Sequence, residues 1–198
     1  MKPSQSAAWS AAWSTAGWAP AATVVQVFVL GIDPGLTRCG FAVVEAGPRG
    51  GGRARSLGVI TTDKTLDTAV RLAELQHELV SLFDDFSPSV LAVERIFFQN
   101  NLSSAVSVAQ AAGLAMAEGA SRGLRVVEYS PSQIKAAVAG DGRADKIQMQ
   151  HMVQTLLGLR ATPKPADAAD AAAVALCHLA HDPVGRSGKS LAERMAAT

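Results

Sequence analysis

The sequence has few cysteines, few aromatic residues and almost no net charge. Its two cysteines, Cys39 and Cys177, lie far apart in 198 residues, which argues against a disulfide framework and against a cysteine-based zinc site. The formal net charge is +1, so nucleic-acid binding would need a local basic patch rather than a global field. No apolar run is long enough to span a membrane. We therefore expect a cytoplasmic protein with reduced thiols and no membrane contact.

The two ends of the chain differ in composition from its middle. All three tryptophans lie in residues 1–23, in a near-repeat of Ala-Ala-Trp-Ser that Ser, Gly and Pro interrupt. Lys2 and the small residues around 19–22 are compatible with a signal peptide, but this segment has no continuous apolar core. We expect a disordered extension over 1–23, one folded domain over 24–181 and a flexible polar tail over 182–198.

Hydrophobic periodicity predicts three hairpin-like strands, followed by strands that alternate with helices. Capping boxes at Ser130/Gln133 and Asp145/Gln148 mark the starts of two short helices. The pattern predicts an α/β fold, with a mixed five-stranded sheet and helices on both faces. The predicted strands are 24–33, 41–45, 57–61, 89–94 and 125–129, the turns are 34–40 and 47–53, and the longer helices are 66–86, 101–122 and one starting near 165.

The last helix, PADAADAAAVALCHLA over 165–180, carries Asp167 and Asp170 three residues apart. Acidic residues in a first turn interact well with the helix dipole, which is the simplest explanation. However, the two side chains share one helical face, which continues through Val174 and Cys177. Two carboxylates at the head of an apolar stripe repel each other and lose hydration, so they need a compensating cation.

Two further acids, Asp33 and Glu94, each end a predicted strand. Asp33 could be an ordinary turn residue before Pro34-Gly35, and Glu94 could pair with Arg95. If their strands are neighbours, however, the two carboxylates face each other at the strand ends, where functional groups of α/β folds gather. The last helix would add its two aspartates, and together the four acids indicate a shared site.

Four carboxylates without His or Cys suit Mg²⁺ or Mn²⁺ better than zinc. Two divalent ions would neutralise their charge. Two such ions about 3.5–4 Å apart can stabilise both the attacking water and the leaving oxygen of a phosphodiester. The residues themselves therefore indicate metal-dependent phosphodiester hydrolysis.

Four segments resemble the RuvC family of bacterial Holliday-junction resolvases, in matching order and spacing from about residue 27 to 181. The resemblance implies a ribonuclease-H-like fold and a homodimer that nicks a four-way DNA junction symmetrically, with two Mg²⁺ per site, in recombination and repair. It places the catalytic acids on Asp33, Glu94, Asp167 and Asp170, and it implies a branch-migration helicase complex as a partner. The segments are LGIDPGLTRCGFAVVE, LAVERIFFQNN, EYSPSQIKAAVAGDGRADKIQMQHMV and PADAADAAAVAL.

The same resemblance assigns DNA contact to Lys135 and Lys146. As a phosphate ligand, Lys146 would also supply charge to a developing oxyanion, which adds it to the catalytic residues. The simpler explanations are a surface pair between Lys146 and Asp145, and a solvated Lys135 on the exposed side of its helix. Arg143 is predicted to extend this basic patch.

The resemblance also implies an aromatic side chain that stacks on an unpaired base, and it assigns this role to Phe97. Base–aromatic stacking contributes about 1–3 kcal/mol per base. Phe98 is the neighbouring candidate, and spacing alone leaves the choice between them open.

The helix predicted over 101–122 carries Ala105, Ala109, Ala112 and Gly113 on adjoining faces. Small residues let another element approach closely, either within the monomer or across a dimer interface. The resemblance favours the dimer, since a two-fold interface fixes the separation of two related scissile phosphates.

Three other readings compete with the resolvase. GIDPGLT also resembles the start of actin-like ATPases and sugar kinases, but those folds need two such domains and a Gly-rich adenosine motif. The second is a ribonuclease-H-like nuclease that acts on RNA or simple duplex. The Asp167–Asp170 pair and the DGRADK loop favour the resolvase over this alternative. The third is a junction-binding scaffold whose acids only cap helices, which a stability response to Mg²⁺ would exclude.

Overall fold

The computed structural model describes residues 27–47, 51–96 and 102–182, with side chains from residue 105 onward in the last range. The predictions for the N-terminal extension and for almost all of the tail fall outside these residues. The elements are β1 (Phe28–Asp33), β2 (Arg38–Ala46), β3 (Gly52–Thr61), α1 (Thr68–Phe86), β4 (Val90–Glu94), α2 (Leu102–Ser121), β5 (Arg125–Tyr129), α3 (Pro131–Ala139), α4 (Lys146–Leu156) and α5 (Ala166–His181).

The strands form one mixed sheet in the order β3-β2-β1-β4-β5. β1 runs antiparallel to β2 and parallel to β4, and β4 runs parallel to β5. This is the mixed five-stranded sheet that the sequence predicted. Because β1 and β4 are parallel neighbours, both end at the same edge of the sheet.

Helices cover both faces of this sheet, also as predicted. Leu30 and Ile32 of β1 belong to the hydrophobic core that α1 and α2 close. Val29, on the other face, belongs to the core that α3, α4 and α5 close. Successive residues of a strand point to opposite faces, so one apolar strand supplies both cores.

Two strands are longer than predicted. β2 begins at Arg38 instead of 41, because Asp33 pairs with Gly40 and leaves only residues 34–37 for the turn. β3 begins at Gly52 instead of 57, with a register shift opposite Val43 and Val44. Glycine and arginine are poor strand signals, and here the ladder to β2 outweighs local propensity.

Glycine and alanine allow α5 to lie directly on the sheet. A Cβ added at Gly31 would be 2.3 Å from the carbonyl oxygen of Ala171 and 2.8 Å from the amide nitrogen of Ala175. A Cβ added at Gly40 would be 2.2 Å from the carbonyl oxygen of Asp167. The small residues of α5 therefore serve close packing, which holds the start of this helix against β2.

Gly31→Ala is expected to lower the free energy of unfolding by about 1–3 kcal/mol, because α5 must move away from β1 to admit the methyl group. Urea denaturation followed by circular dichroism measures the change. Gly113→Ala in α2 is the matched control, since a Cβ there meets no heavy atom within 4 Å. Equal stabilities for the two variants would contradict the close-packing explanation.

Among the described residues, no helix is both long enough and apolar enough to cross a membrane.

Candidate active site

A cleft of about 280 Å³ opens where β1 and β4 end and α5 begins. Ile32 and Val93 are paired in the parallel ladder, so Asp33 and Glu94, the next residue of each strand, lie side by side. Asp170 reaches the same cleft from the second turn of α5. The cleft is lined by Asp33, Glu94, Pro131, Ile134, Lys135, Lys146, Met149, Asp170 and Ala173.

Asp33 lies at the centre of the negative charge in this cleft. Burial, together with the carboxylates of Glu94, Asp170 and Asp167, raises its pKa from 3.8 to about 7, against the opposing effect of Lys146. Each additional negative charge makes ionisation of this carboxyl more costly. Asp33 therefore marks a position where the described residues supply too little positive charge.

Glu94 and Asp170 are in the same electrostatic condition. Burial raises the pKa of Glu94, as does Asp170, while Lys135 lowers it. Burial also raises the pKa of Asp170, although Lys146 opposes the shift. Any cation that enters the cleft would therefore stabilise the ionised form of three of the four predicted acids.

Asp167 differs from the other three acids because an arginine holds it. Arg38 Nη2 donates to Asp167 Oδ2 at 2.7 Å, and Arg38 Nε lies 3.2 Å from Oδ2 and 3.3 Å from Oδ1. These hydrogen bonds lower the pKa of Asp167. Arg38 was not predicted from the sequence as a residue of this site. Its available signal was its place five residues after Asp33, where a tight hairpin returns the chain to the same edge.

Lys146 points into the cleft, and its Nζ lies 3.4 Å from Asp170 Oδ2. The alternative pairing with Asp145 is not the contact seen, because Asp145 Oδ1 accepts from the backbone N–H of Gln148 at 2.8 Å and caps α4. Lys135 is half-buried and lines the cleft.

Of the remaining DNA-contact predictions, the one for Arg143 falls on residues that the structure describes. Arg143 is almost fully exposed, with its Nε 3.8 Å from Asp141 Oδ1, and it is not part of the cleft lining. Phe97 and Phe98 lie outside the described residues. The structure therefore leaves the stacking prediction as it stood.

A second arginine holds the turn between Asp33 and Arg38. Arg71 Nη2 of α1 donates to Thr37 Oγ1 at 2.7 Å, and Arg71 Nε donates to Thr62 Oγ1 at 3.0 Å. The Thr62 hydroxyl in turn donates to the carbonyl oxygen of Leu36 at 2.6 Å. The network fixes the backbone on both sides of the turn, and with it the positions of Asp33 and Arg38.

The inner side of α5 is tied to β5 behind Glu94. Tyr129, which pairs with Glu94 in the ladder, shares a 2.8 Å hydrogen bond between its hydroxyl and His178 Nδ1. Burial lowers the pKa of His178 to about 4, so the ring is neutral near pH 7. This contact anchors the helix that carries two of the acids.

The donor set fits hard divalent cations, since it consists of carboxylate oxygens, and three of the four carboxyl groups have raised pKa values. Within the described part of the chain, however, no three side chains of His, Cys, Asp and Glu are grouped closely enough to hold one ion. The carboxylates are near enough to repel one another but do not converge.

The small residues of α2 serve mainly the monomer. Ala112 belongs to the core that α1 and α2 close, and Ala105 is also buried, whereas Gly113 is exposed and Val106 is 55% exposed. Packing within the monomer therefore explains Ala112. The outward face of α2 keeps an apolar residue and a glycine available for a second copy.

Comparison with known proteins agrees with this architecture. The family model described as crossover junction endodeoxyribonuclease RuvC matches residues 29–178. The RuvC of Cutibacterium acnes is 49% identical over 151 residues, covering 76% of this chain and 77% of the relative. That of Corynebacterium efficiens is 47% identical over 150 residues, covering 76% and 67%. Thermus thermophilus RuvC, solved in complex with a Holliday junction substrate, superposes with a TM-score of 0.75 at 32% identity, covering 83% and 98%.

Proposed function

Because the chain belongs to the RuvC family of crossover junction endodeoxyribonucleases, we propose that it resolves four-way DNA junctions by paired, symmetric nicks in recombination and repair. The ribonuclease-H-like fold is that of its solved relatives. The observation that carries the proposal is the cleft at the ends of β1 and β4, where half-buried carboxylates outnumber the lysines of the lining.

Asp33, Glu94, Asp167 and Asp170 are proposed as the catalytic acids and as the ligands of divalent metal ions. Four hard oxygen donors and their mutual repulsion favour two Mg²⁺ per site, with Mn²⁺ as a substitute. When bound, such ions supply an activated water and stabilise charge on the leaving oxygen of the phosphodiester.

The basic residues of the cleft are proposed to position the DNA backbone. Lys146 is placed to neutralise charge that develops on a phosphate beside Asp170, and it counts among the catalytic residues for this reason. Lys135, beside Glu94, is suited to hold the phosphate backbone as it enters. Arg143 is proposed to bind phosphate at the rim, and Phe97 to stack on an unpaired base.

A homodimer is proposed because the two nicks fall on related strands of the junction. A two-fold interface through the outward face of α2 would set the distance between two identical clefts. A branch-migration helicase complex is the proposed partner on DNA, and the cytoplasm the proposed location. The proposed domain limits remain 1–23 for the extension, 24–181 for the nuclease domain and 182–198 for the tail.

Cleavage of a labelled four-way junction tests the function. The protein is incubated with the junction or with linear duplex of the same arm sequence, each with Mg²⁺ and with EDTA. We expect paired nicks at symmetric positions of the junction in Mg²⁺, and intact duplex throughout.

Two of the three alternative functions, the general nuclease and the junction-binding scaffold, have distinct outcomes in this assay. Equal cutting of duplex would identify a general nuclease on this fold. Tight junction binding without cutting, across several junction sequences, would identify a scaffold. Several sequences are needed because a base preference at the nick would hide activity on a single one.

A further inference from the structure

Arg38 makes a forked contact with one of the four acids of the proposed metal site. Its Nη2 and Nε both bond to the Asp167 carboxylate, with the shorter contact at 2.7 Å. Both donors contact Oδ2, and Nε also lies 3.3 Å from Oδ1, so the guanidinium takes up lone-pair directions that a metal ion could otherwise use. While the contact persists, Asp167 is occupied.

The contact also separates Asp167 from the other acids. Asp33, Glu94 and Asp170 line the cleft, whereas Asp167 is not part of its lining. The site therefore has two halves: three acids that face the cleft, and one that an arginine holds at its rim.

We infer that Arg38 competes with divalent metal for the Asp167 carboxylate, and that the DNA backbone relieves this competition by binding the Arg38 guanidinium. The inference rests on the proposed function, because it takes the four acids as the metal site. It makes Arg38 a positioning residue that couples metal binding to DNA binding.

The placement of Arg38 permits such an exchange. It stands at the first position of β2, and its side chain is 47% exposed, so it can turn without disturbing the core. Phosphate accepts the guanidinium fork as carboxylate does. The backbone of Arg38 stays fixed beside Asp33, because the turn before it is held by Arg71 and Thr62.

Lys146 cannot serve in the same way. Its contact with Asp170 is a single one at 3.4 Å, from an ammonium group that already lines the cleft. Asp170 therefore keeps free lone pairs toward the cleft while Lys146 remains nearby. The contacts from Arg38 leave Asp167 fewer free lone pairs than Asp170 has.

Competition of this kind has a thermodynamic consequence. If DNA removes Arg38 from Asp167, DNA raises the affinity for the ion that uses Asp167, and that ion raises the affinity for DNA by the same factor. The chain would then load its full metal complement mainly on a substrate. Free protein would carry an incompletely loaded site.

Calorimetric titration with Ca²⁺ tests the competition without reference to activity. Arg38→Gln is expected to tighten Ca²⁺ binding by about 3- to 10-fold in the absence of DNA, the range of a well-formed, partly exposed ion pair. Arg38→Lys, which keeps the charge and loses the fork, should fall between the wild type and Arg38→Gln.

Two control variants separate competition from a general change of charge. Arg55→Gln removes an arginine from its 2.8 Å pair with Glu45, away from the cleft, and should leave Ca²⁺ affinity unchanged. In an Asp167→Asn background, Arg38→Gln should no longer tighten binding, because the contested carboxylate is gone.

The DNA arm repeats the titrations with saturating four-way junction. The difference between wild type and Arg38→Gln should then close to within about twofold, since the phosphates hold Arg38 away from Asp167 in the wild type. Persistence of the full difference on DNA would refute the role of the backbone. Equal affinities without DNA would refute the competition itself. If no variant binds Ca²⁺ or Mg²⁺, the metal site of the proposed function fails instead.

Discussion

Asp170→Asn is expected to reduce junction nicking roughly 10³-fold or more while leaving junction binding in EDTA intact. The substitution removes one of three carboxylates that line the cleft, and with it a proposed ligand and one negative charge. The side chain keeps its size, so α5 should pack as before. Single-turnover cleavage and fluorescence anisotropy with the same labelled junction measure the two properties.

The matched control for this prediction is Asp84→Asn on α1. Asp84 is exposed, and its Oδ1 lies 3.8 Å from Arg122 Nη2, remote from the cleft. Its nicking rate should equal that of the wild type. If Asp170→Asn cut the junction within tenfold of the wild-type rate, Asp170 would have no place among the catalytic acids.

As the pH rises from about 4 to about 7, the metal-free protein is expected to lose the stability that the proton on Asp33 contributes. The folded-state pKa of Asp33 is raised from 3.8 to about 7, so the folded protein binds this proton more tightly than the unfolded chain does. The stability from that proton is fully present below pH 4 and is lost as the pH passes through 7. A pKa shift of about three units corresponds to about 4 kcal/mol. Because the Asp33 carboxyl is partly exposed to water, which screens its interactions, the expected loss of this contribution is about 2–4 kcal/mol.

Asp33→Asn isolates this contribution. In EDTA at pH 8 the variant should exceed the wild type by about 2–4 kcal/mol in the free energy of unfolding, and at pH 4 the two should agree. Glu94 and Asp170 shift in the same direction as Asp33, and Asp167 shifts in the opposite direction. These three groups are present in both proteins, so their contributions to the pH dependence of stability cancel to first order in the comparison. Urea denaturation at each pH provides the measurement.

Millimolar Mg²⁺ extends the same test. It should stabilise the wild type at pH 8, where the carboxylates repel one another, and stabilise Asp33→Asn much less. A pH-independent difference between the two proteins would instead assign the effect of the substitution to packing.

Much of the fold was predictable because its signals are local. The capping boxes at Ser130 and Asp145 are present as the sequence indicated, each with its glutamine partner. The apolar runs around β1 and β4 showed the two strands and the acids that end them. The predicted strand boundaries were wrong where pairing with a neighbouring strand supplies the stability. An example is the early start of β3, whose glycine and arginine residues carry no strand signal of their own.

The candidate site was predictable in its acids and in Lys135 and Lys146, but not in Arg38. Asp33, Glu94 and Asp170 stand out as charged residues at the ends of apolar elements, a contrast that is visible in one dimension. Arg38 has no such contrast, because an arginine beside a turn is ordinary. Only the hairpin that brings β2 back past Asp33, and the start of α5 across Gly40, place it against Asp167.

The sequence by itself determined the alternation of strands and helices, the four carboxylates and the kind of cation that suits them. These follow from propensity, hydrophobic period and ligand chemistry, which act over a few residues. The tertiary structure decided which acids share a cleft, how their charges raise the pKa of Asp33, and which acid an arginine already occupies. Those properties depend on distances between residues as far apart as Arg38 and Asp167, and only the packed sheet and helices set such distances.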